Sequence, residues 1–566
     1  MDYSKLCSVY QALEGTSKGL EKTAILADFL AEIAKSGEYD LIYLLQGKAF
    51  ADYDKNELGM SLQLVIRAIS RATGLGDKEV VDEFRDIGDL GKVAESLVGK
   101  KKQQTALFSK KLTVEKVLQN VRKLPTLVGA GTVDRKIGYV VELLNSASPI
   151  EARYIVRTVL SDLKVGVGNG LLRDAIVEHC FDPQGDLDEK KEAKEAVQAA
   201  YDKATDFAEV FEKACKRKLD DIVLSPGKPV KVMLFPKAAG VEDAFRIVGK
   251  PAAFEYKYDG FRVMINKDDG GEIKIFTRRL DDVTRQFPDI VEFVKNNVNA
   301  KSFIIDCEAV GYDSKTKIYQ AFQAISQRIR RKHHIERLVK ELPIELVVFD
   351  IIFHDGNSLI GEEFGNRREL IEKIVRQEKF KITLADQIIS EDAKEVETFY
   401  AKALEEGQEG LMAKSLSAPY KPGARIGHAV KLKPEDKDFD LVITGAEWGT
   451  GKRAGWLTSF DVSCLGKGGE LLDMGKVSTG LKEKREEGLS FDEMTEMLKK
   501  LVLSEGGRKI SVEPEIVVSV QYQNIQKSPT YSSGYALRFP RILRLRPDRG
   551  KGDIATLKEI ESEAEK

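Results

Sequence analysis

The 566-residue chain is 42% hydrophobic and 32% charged, with a formal net charge of −2. It is long enough for about three or four domains with buried cores, and its charge balance excludes a uniformly basic nucleic-acid binder. No apolar run approaches the roughly 20 residues of a membrane span and the N-terminus lacks a signal-peptide pattern, so a cytoplasmic, intracellular location is expected. The five cysteines, Cys7, Cys180, Cys215, Cys307 and Cys464, include no C-x-x-C pair, and His333-His334 lacks i, i+4 ligand spacing. Neither a disulfide framework nor a zinc site is indicated, and the cysteines are expected to be reduced and structural.

From the N-terminus to about Leu224, apolar residues recur at three- and four-residue steps. Residues 23–34, 57–72, 114–123, 150–163 and 192–216 read as amphipathic helices with no sustained strand alternation, which predicts an all-α domain over 1–224. Within it, Gly166, Gly168 and Gly170 stand directly before an apolar helix start. Backbone N–H groups, Lys164, Arg173 and the helix dipole would hold a phosphate there; the alternative is a tight interhelical turn. No strand precedes these glycines, which argues against a dinucleotide fold.

Ser225-Pro226-Gly227-Lys228-Pro229 is a linker, and the strands mixed with helices that follow predict an α+β domain over 225–434. Apolar and polar residues alternate at 254–258. This predicts a half-buried strand with Glu255, Lys257 and Asp259 on one face and Phe254, Tyr256 and Tyr258 on the other. Gly260 lets the backbone turn or approach a ligand, and Arg262 adds a positive fork. Such a stretch is a seat for a nucleophilic lysine facing a nucleotide phosphate. The K-x-D-G pattern alone is not specific, because Lys267-Asp268-Asp269-Gly270 repeats it between two apolar alternations and reads as a hairpin turn.

In Phe303-Ile304-Ile305-Asp306-Cys307-Glu308-Ala309, alternation sets Asp306 and Glu308 on one face, paired acids that suit a divalent cation. Residues 346–353 form an almost continuous apolar run, the mark of a central strand buried on both faces, in which Phe349 is core or an adenine-stacking wall. After a helix around 393–406, Glu409-Gly410-Leu411-Met412-Ala413-Lys414 opens a strand with an acid and a lysine. Val430-Lys431-Leu432-Lys433 puts Lys431 and Lys433 on one side; taken singly, either pair reads as an exposed strand face. From about Pro434, short strands and one helix near 491–502 predict a small β-barrel over 435–566. Gly449-Thr450-Gly451-Lys452-Arg453 fails as a phosphate loop, since Ala446 stands where the first glycine is required and Arg453 replaces the Ser/Thr. A basic tail holds Arg538, Arg541, Arg544, Arg546, Arg549 and Lys551, with Asp548 among them.

Taken in order, the K-x-D-G at Lys257, Arg278, Asp306/Glu308, Phe349-Asp350, Glu409-Gly410, Lys431/Lys433 and the terminal R-x-R-P-D-R at Arg544–549 resemble the motif series of ATP-dependent DNA ligases. The archaeal type, related to the eukaryotic replicative enzyme, is the best match, and the resemblance covers essentially the whole chain. It implies a multi-domain protein with an all-α N-terminal DNA-binding domain, an α+β nucleotidyltransferase (adenylation) domain and a C-terminal OB-fold β-barrel. The implied activity is sealing of nicks in duplex DNA, in replication, repair and recombination, through a covalent lysyl-AMP intermediate, with ATP as co-substrate and Mg²⁺ as cofactor. Carried over residue by residue, the resemblance implies that Lys257 is adenylated and that Glu255 contacts the adenine amino group. Arg262 and Arg278 would hold ribose or phosphate groups, Glu308 the ribose or the metal, Phe349 the base, and Arg425 and Lys431 the phosphates. Glu409 is implied as a metal-site acid. Lys433, with Asp548 and Arg549, would assist the first step, in which the barrel closes over ATP about a hinge near 433–437. Thr277 stands where serine is the family pattern, and the hydroxyl is kept.

DNA is expected to be held through its backbone without sequence preference, with Arg328, Arg330, Arg331, Lys332 and the glycine loop as candidate contacts. A sliding clamp is a possible partner, with residues 103–108 a loose match to a clamp-binding segment, and the protein is expected to be a monomer. The rivals are an RNA ligase or mRNA capping enzyme with the same central motifs, against which the long helical region argues. An NAD-dependent ligase is disfavoured by the missing cysteine-rich zinc module. A non-catalytic DNA-binding scaffold is disfavoured because nucleophile, acids and basic residues are all present.

Overall fold

Among the described residues, eleven α-helices, from Tyr3–Glu14 to Phe207–Cys215, fill the N-terminal region of the computed structural model. The structure describes all residues except 55, 103–110, 182–185, 321, 330, 332–333, 425–426, 435–436, 451–452 and 565–566. The clamp-like segment 103–108, Arg330, Lys332, His333, Arg425, two hinge residues and the pair Gly451-Lys452 therefore lie outside the described residues. The chain divides into two units, Met1–Lys433 and Pro434–Lys566. No helix among the described residues is long and apolar enough to cross a membrane.

The helical periodicity holds where a cap supports it. Val114–Lys123 is a helix with the expected limits, and the Thr113 side chain accepts the Lys116 amide at its start. Two expectations need correction. The helix read over 57–72 begins only at Leu62, where Ser61 caps it. The single helix read over 192–216 is two, Leu187–Ala204 and Phe207–Cys215, broken at Thr205 with φ 50°. Apolar spacing runs through the break because both helices bury a face; it is Asp206, accepting the amides of Ala208 and Glu209, that starts the second. These helices share one apolar core drawn from residues between Tyr3 and Ile222.

Into that core runs Arg157, whose guanidinium reaches Glu14 at 3.1 Å and Asp89 at 2.9 Å. Burial works to raise the Asp89 carboxyl, but Arg157, the Lys92 amide and Lys164 outweigh it and hold it down at about 2.

The region that follows the linker is built on two sheets. Its strands are β1 (Ala252–Lys257), β2 (Phe261–Lys267), β3 (Ile273–Thr277), β4 (Phe303–Tyr312), β5 (Tyr319–Gln320), β6 (Ile344–His354), β7 (Asn357–Ser358), β8 (Ile382–Leu384), β9 (Gln387–Ser390), β10 (Gly410–Ser415) and β11 (Ala429–Leu432). One sheet has the order β11-β10-β1-β9; the other runs β3-β2-β4-β6-β7, with β5 on β4 and β8 parallel to β6. The second K-x-D-G forms the turn between β2 and β3, as its composition requires.

The strand β1 is not half-buried as the alternation suggests: all of Ala252–Tyr256 is buried. Phe254, Tyr256 and Tyr258 join an apolar core with helices Val241–Val248 and Ala393–Glu405. The opposite face is covered too, by charged partners instead of water, and polar side chains there keep the alternating pattern. β6 is buried along both faces, as its apolar run implies.

In the unit Pro434–Lys566, β12 (Lys437–Trp448) is a long strand where short ones are expected. Irregularities at Ile443/Gly445 and Glu447/Trp448 let it pair with β13 (Leu457–Leu465) along one edge. Along the other it pairs with the strands Lys509–Val512 and Val517–Tyr522, so one strand serves both ends of a curled, strand-rich domain. The helix Phe491–Lys499 packs on its core.

The Asp89 carboxyl is depressed from its ordinary value of 3.8 to about 2, so its contribution is complete above pH 4 and is lost as pH falls through 2. Asp89→Asn is expected to lower stability at pH 7 by about 2 kcal/mol and to flatten the acid limb between pH 4 and 2. Urea titrations followed by far-ultraviolet circular dichroism across that range check both.

Candidate active site

The first K-x-D-G lies where the two sheets meet, between the end of β1 and the start of β2. Gly260 is required by close approach: a Cβ there would stand 2.4 Å from the Ala309 carbonyl oxygen and 2.9 Å from Glu308 Cγ. The turn is thereby pressed against β4, and Glu308 is brought beside it. On the other side, Lys257 is in register with Gly410, and the Glu409 amide donates to the Lys257 carbonyl at 2.8 Å. Gly410 takes φ 137°, and a Cβ there would meet the Leu432 carbonyl oxygen at 2.1 Å. Both glycines are thus needed to let backbone pass backbone.

Lys257 Nζ is 2.6 Å from Glu409 Oε2, and Lys433 is ion-paired to the same oxygen. Burial raises the Glu409 carboxyl, but these two ammonium groups outweigh it and hold the group down at about 2. Glu308 moves the other way. Burial pushes it up to about 8, opposed by Lys257 and Arg262 and assisted by the charges of Glu409 and Asp306. Two carboxylates around one lysine thus differ in affinity for a proton because, among the described residues, only Glu409 has cations in contact.

Asp306 does not join Glu308 as a metal-binding pair. It is completely buried, and Arg262 clamps it with Nε at 2.8 Å and Nη2 at 2.5 Å, while the Tyr420 hydroxyl donates to it at 2.8 Å. Arg262 also donates to the Met233 carbonyl at 2.7 Å, so its fork is taken up within the protein. Its guanidinium also lies 5.3 Å from the centre of the half-buried Phe349 ring. Lys414 Nζ lies 4.9 Å from the centre of the same ring, so two cations stand beside Phe349.

Lys414 is not on an exposed strand face. It is 6% exposed and lies 2.5 Å from Glu255, itself 2% exposed; Gln387 donates to Glu255 at 2.9 Å, and Arg368 lies 3.5 Å away. Arg368, Gln387 and Tyr420 are missed by sequence reasoning, because each belongs to a distant segment with no motif of its own. Only the burial of Glu255 and Asp306, which the fold creates, shows that each demands a cation.

The other expected residues are placed less centrally. Lys431 is half-buried on β11 opposite Met412. Arg278 is exposed beyond β3 and lines a cavity of about 690 Å³ with Lys48, Lys231 and Arg279. In the C-terminal unit, Asp440 accepts Arg546 at 2.7 Å and Arg549 at 3.1 Å, and Asp548 lies 2.8 Å from Arg546. In the glycine loop, both expected phosphate cations have protein partners: Lys164 with Asp89 at 3.3 Å, and Arg173 with Asp174 at 2.7 Å.

A lysine seated in a K-x-D-G turn between two sheets, with a helical region before it and a strand-rich domain after it, defines a class of nucleotidyltransferase fold. The comparisons with known proteins make the class narrower. The chain matches the DNA ligase N terminus model over residues 2–177, the ATP dependent DNA ligase domain over 232–433 and the ATP dependent DNA ligase C terminal region over 453–549. It is 45% identical to the DNA ligase of Nanoarchaeum equitans, covering 99% of this chain and 98% of that protein. It is 41% identical to that of Thermococcus fumicolans, again over 99% and 98%. The solved structure Pmar-Lig_Pre, 16% identical, matches 95% of this chain and 98% of its own with a TM-score of 0.56, which shows a shared fold. The chain belongs to the ATP-dependent DNA ligases, enzymes that seal nicks in DNA, and is similar throughout to archaeal members.

The Arg328 side chain is not at the DNA surface. It is fully buried, with Nη2 2.6 Å from Asp289 and further bonds to the Gln286 and Leu342 carbonyls; Arg331 is exposed. Arg328→Ala is expected to destabilise the region by about 3–5 kcal/mol, as breaking a buried pair does. The folded fraction should keep the salt dependence of its nicked-duplex binding, which fluorescence anisotropy with parallel melting curves checks.

Proposed function

We propose that Lys257 is the nucleophile of this ligase and that the cluster around it performs the first step. The observation that carries this reading is the Lys257–Glu409–Lys433 contact, locked beside Glu308 by Gly260 and Gly410. Lys257 Nζ must present a lone pair, form a bond to the α-phosphorus of ATP and displace pyrophosphate. The phosphorus–nitrogen bond of lysyl-AMP is then broken by a 5′-phosphate oxygen at the nick, and the lysine recovers its proton. Attack of the 3′-hydroxyl on the activated 5′-phosphate completes the phosphodiester and releases AMP.

Within this reading, Phe349 packs against the adenine. Glu255, fixed by Lys414, Arg368 and Gln387, lies on the same strand as Lys257 and accepts from the adenine amino group. Arg262 orients Phe349 and locks β2 to β4, while Lys431, Lys433, Arg278 and Arg425 provide charge for ribose and phosphates. A divalent cation of the Mg²⁺ type fits Glu308 and Glu409, since carboxylate oxygens are its preferred donors. Bound there, it would offset charge on the triphosphate and compete with Lys257 for the Glu409 carboxylate, favouring the neutral amine. The proposed division of labour is DNA binding by 1–224, adenylation by 225–434, and closure by an OB-type domain over 435–566, acting as a monomer in the cytoplasm; a sliding clamp is a proposed partner. Asp548 and Arg549 would assist adenylation from that last domain.

Incubation with α-labelled ATP and Mg²⁺, followed by a denaturing gel, tests the nucleophile. Wild type is expected to retain label and Lys257→Ala to retain none; equal labelling of both would overturn the assignment.

Glu308 is raised from 4.5 to about 8, so below pH 8 a cation that uses it must displace a proton. The Mg²⁺ concentration for half-maximal adenylation is expected to fall by up to about tenfold per pH unit as pH rises towards 8, and to level off above it. Glu308→Gln should need more Mg²⁺ and show a flatter dependence, measured as single-turnover labelling between pH 6.5 and 9.

A further inference from the structure

The cysteines carry no pairing pattern in sequence, yet folding brings two of them together with a histidine, in the helical region and apart from the residues assigned to adenylation. His179 and Cys180 lie in the last turn of the helix Asn169–Phe181, and Cys215 ends the helix Phe207–Cys215. The Cys180 and Cys215 sulfurs are 3.3 Å apart, and the nearest ligand atoms of all three residues lie within 4.8 Å of one another. All three are half-buried, so an ion in solution can reach them. The surroundings are aromatic: the His179 ring lies 5.9 Å from that of Phe211, which in turn meets Tyr39 at 5.5 Å.

We propose that His179, Cys180 and Cys215 form a binding site for a thiophilic cation of the zinc type, a second metal site chemically separate from the carboxylates at Lys257. Two thiolates and an imidazole are soft and borderline donors, which select zinc-type ions and discriminate against Mg²⁺. The size also fits. With metal–sulfur bonds of about 2.3 Å and tetrahedral geometry, two sulfurs stand about 3.8 Å apart, so the pair must open by only about half an ångström. Binding releases the two thiol protons to solvent, and water takes the fourth position. A disulfide would need only the two sulfurs; the imidazole beside both is the feature that favours a metal.

The consequence is a clasp. The helix that carries His179 and Cys180 in its last turn begins at the glycine loop, and the helix ending at Cys215 is the last α-helix before the linker at 225–229. An ion bound by all three residues joins those two ends and, binding only the folded arrangement, stabilises it in proportion to its concentration over its dissociation constant.

The test uses the full-length protein, reduced with a phosphine, stripped with a chelator and titrated with Co²⁺ in excess Mg²⁺. One equivalent is expected to give a thiolate-to-cobalt charge-transfer band with the visible bands of a tetrahedral ion, lost on adding Zn²⁺. Cys180→Ser, Cys215→Ser and His179→Gln are each expected to weaken binding by at least about tenfold. Retained lysyl-AMP formation at Lys257 shows that each variant is folded. Absence of the thiolate band in wild type overturns the proposal without reference to any variant. So does Co²⁺ affinity unchanged in His179→Gln. Oxidation to a Cys180–Cys215 disulfide, equally in wild type and His179→Gln and with no metal uptake, overturns it in favour of a redox clasp.

Discussion

The rest of the site depends on buried charge where the two sheets meet. Asp306 on β4 and Glu255 on β1 are withdrawn from water, a state tolerable only with hydrogen-bonded cations in contact. Arg262 answers the first and Lys414 the second. Each pair fixes more than itself: Arg262 locks β2 to β4 and lies against one side of Phe349, and Lys414 ties β10 to β1 and lies against the same ring. Neither pair needs to be a large net source of stability to matter. Removing one partner leaves a buried charge, so the arrangement is specified by the cost of its alternatives.

Around this frame the chemistry is set by unequal environments for similar groups. Glu409 and Glu308 both approach Lys257, yet one is held near 2 by two ammonium groups and the other is pushed near 8 by burial. The lysines differ likewise. Lys414 serves a buried acid, Glu255, and a ring, whereas Lys257 and Lys433 share one carboxylate oxygen. Two lysines that share one carboxylate oxygen leave positive charge in excess at that point, where a polyanionic substrate would be attracted.

The helical region follows another logic. Its cations are largely spent on internal partners: Arg157 on Glu14 and Asp89, Lys164 on Asp89, Arg173 on Asp174. The glycine loop is thus framed by neutralised charge. Arg328 follows the same rule in the next region, where a basic run in sequence proves to hold a residue committed to Asp289. Counting basic residues along a chain overstates the positive surface wherever helices and sheets bring acids to meet them.

The sequence by itself determined the class of each region, the place of the K-x-D-G lysine and the order of the motifs. These rest on local facts: the periodicity of apolar residues, the glycine beside Lys257, and acids and lysines recurring at strand spacings. Tertiary structure decided which charges are available. The alternation at β1 could show that Glu255 and Lys257 share a face, but not that the face is covered, because covering comes from Lys414, Arg368 and Gln387 more than a hundred residues away. The same limit hid the break at Thr205, where apolar spacing continues across two helices, and the meeting of Cys180 with Cys215. Spacing along a strand or helix is a property of the chain; burial, and the partner that makes it bearable, is a property of the fold.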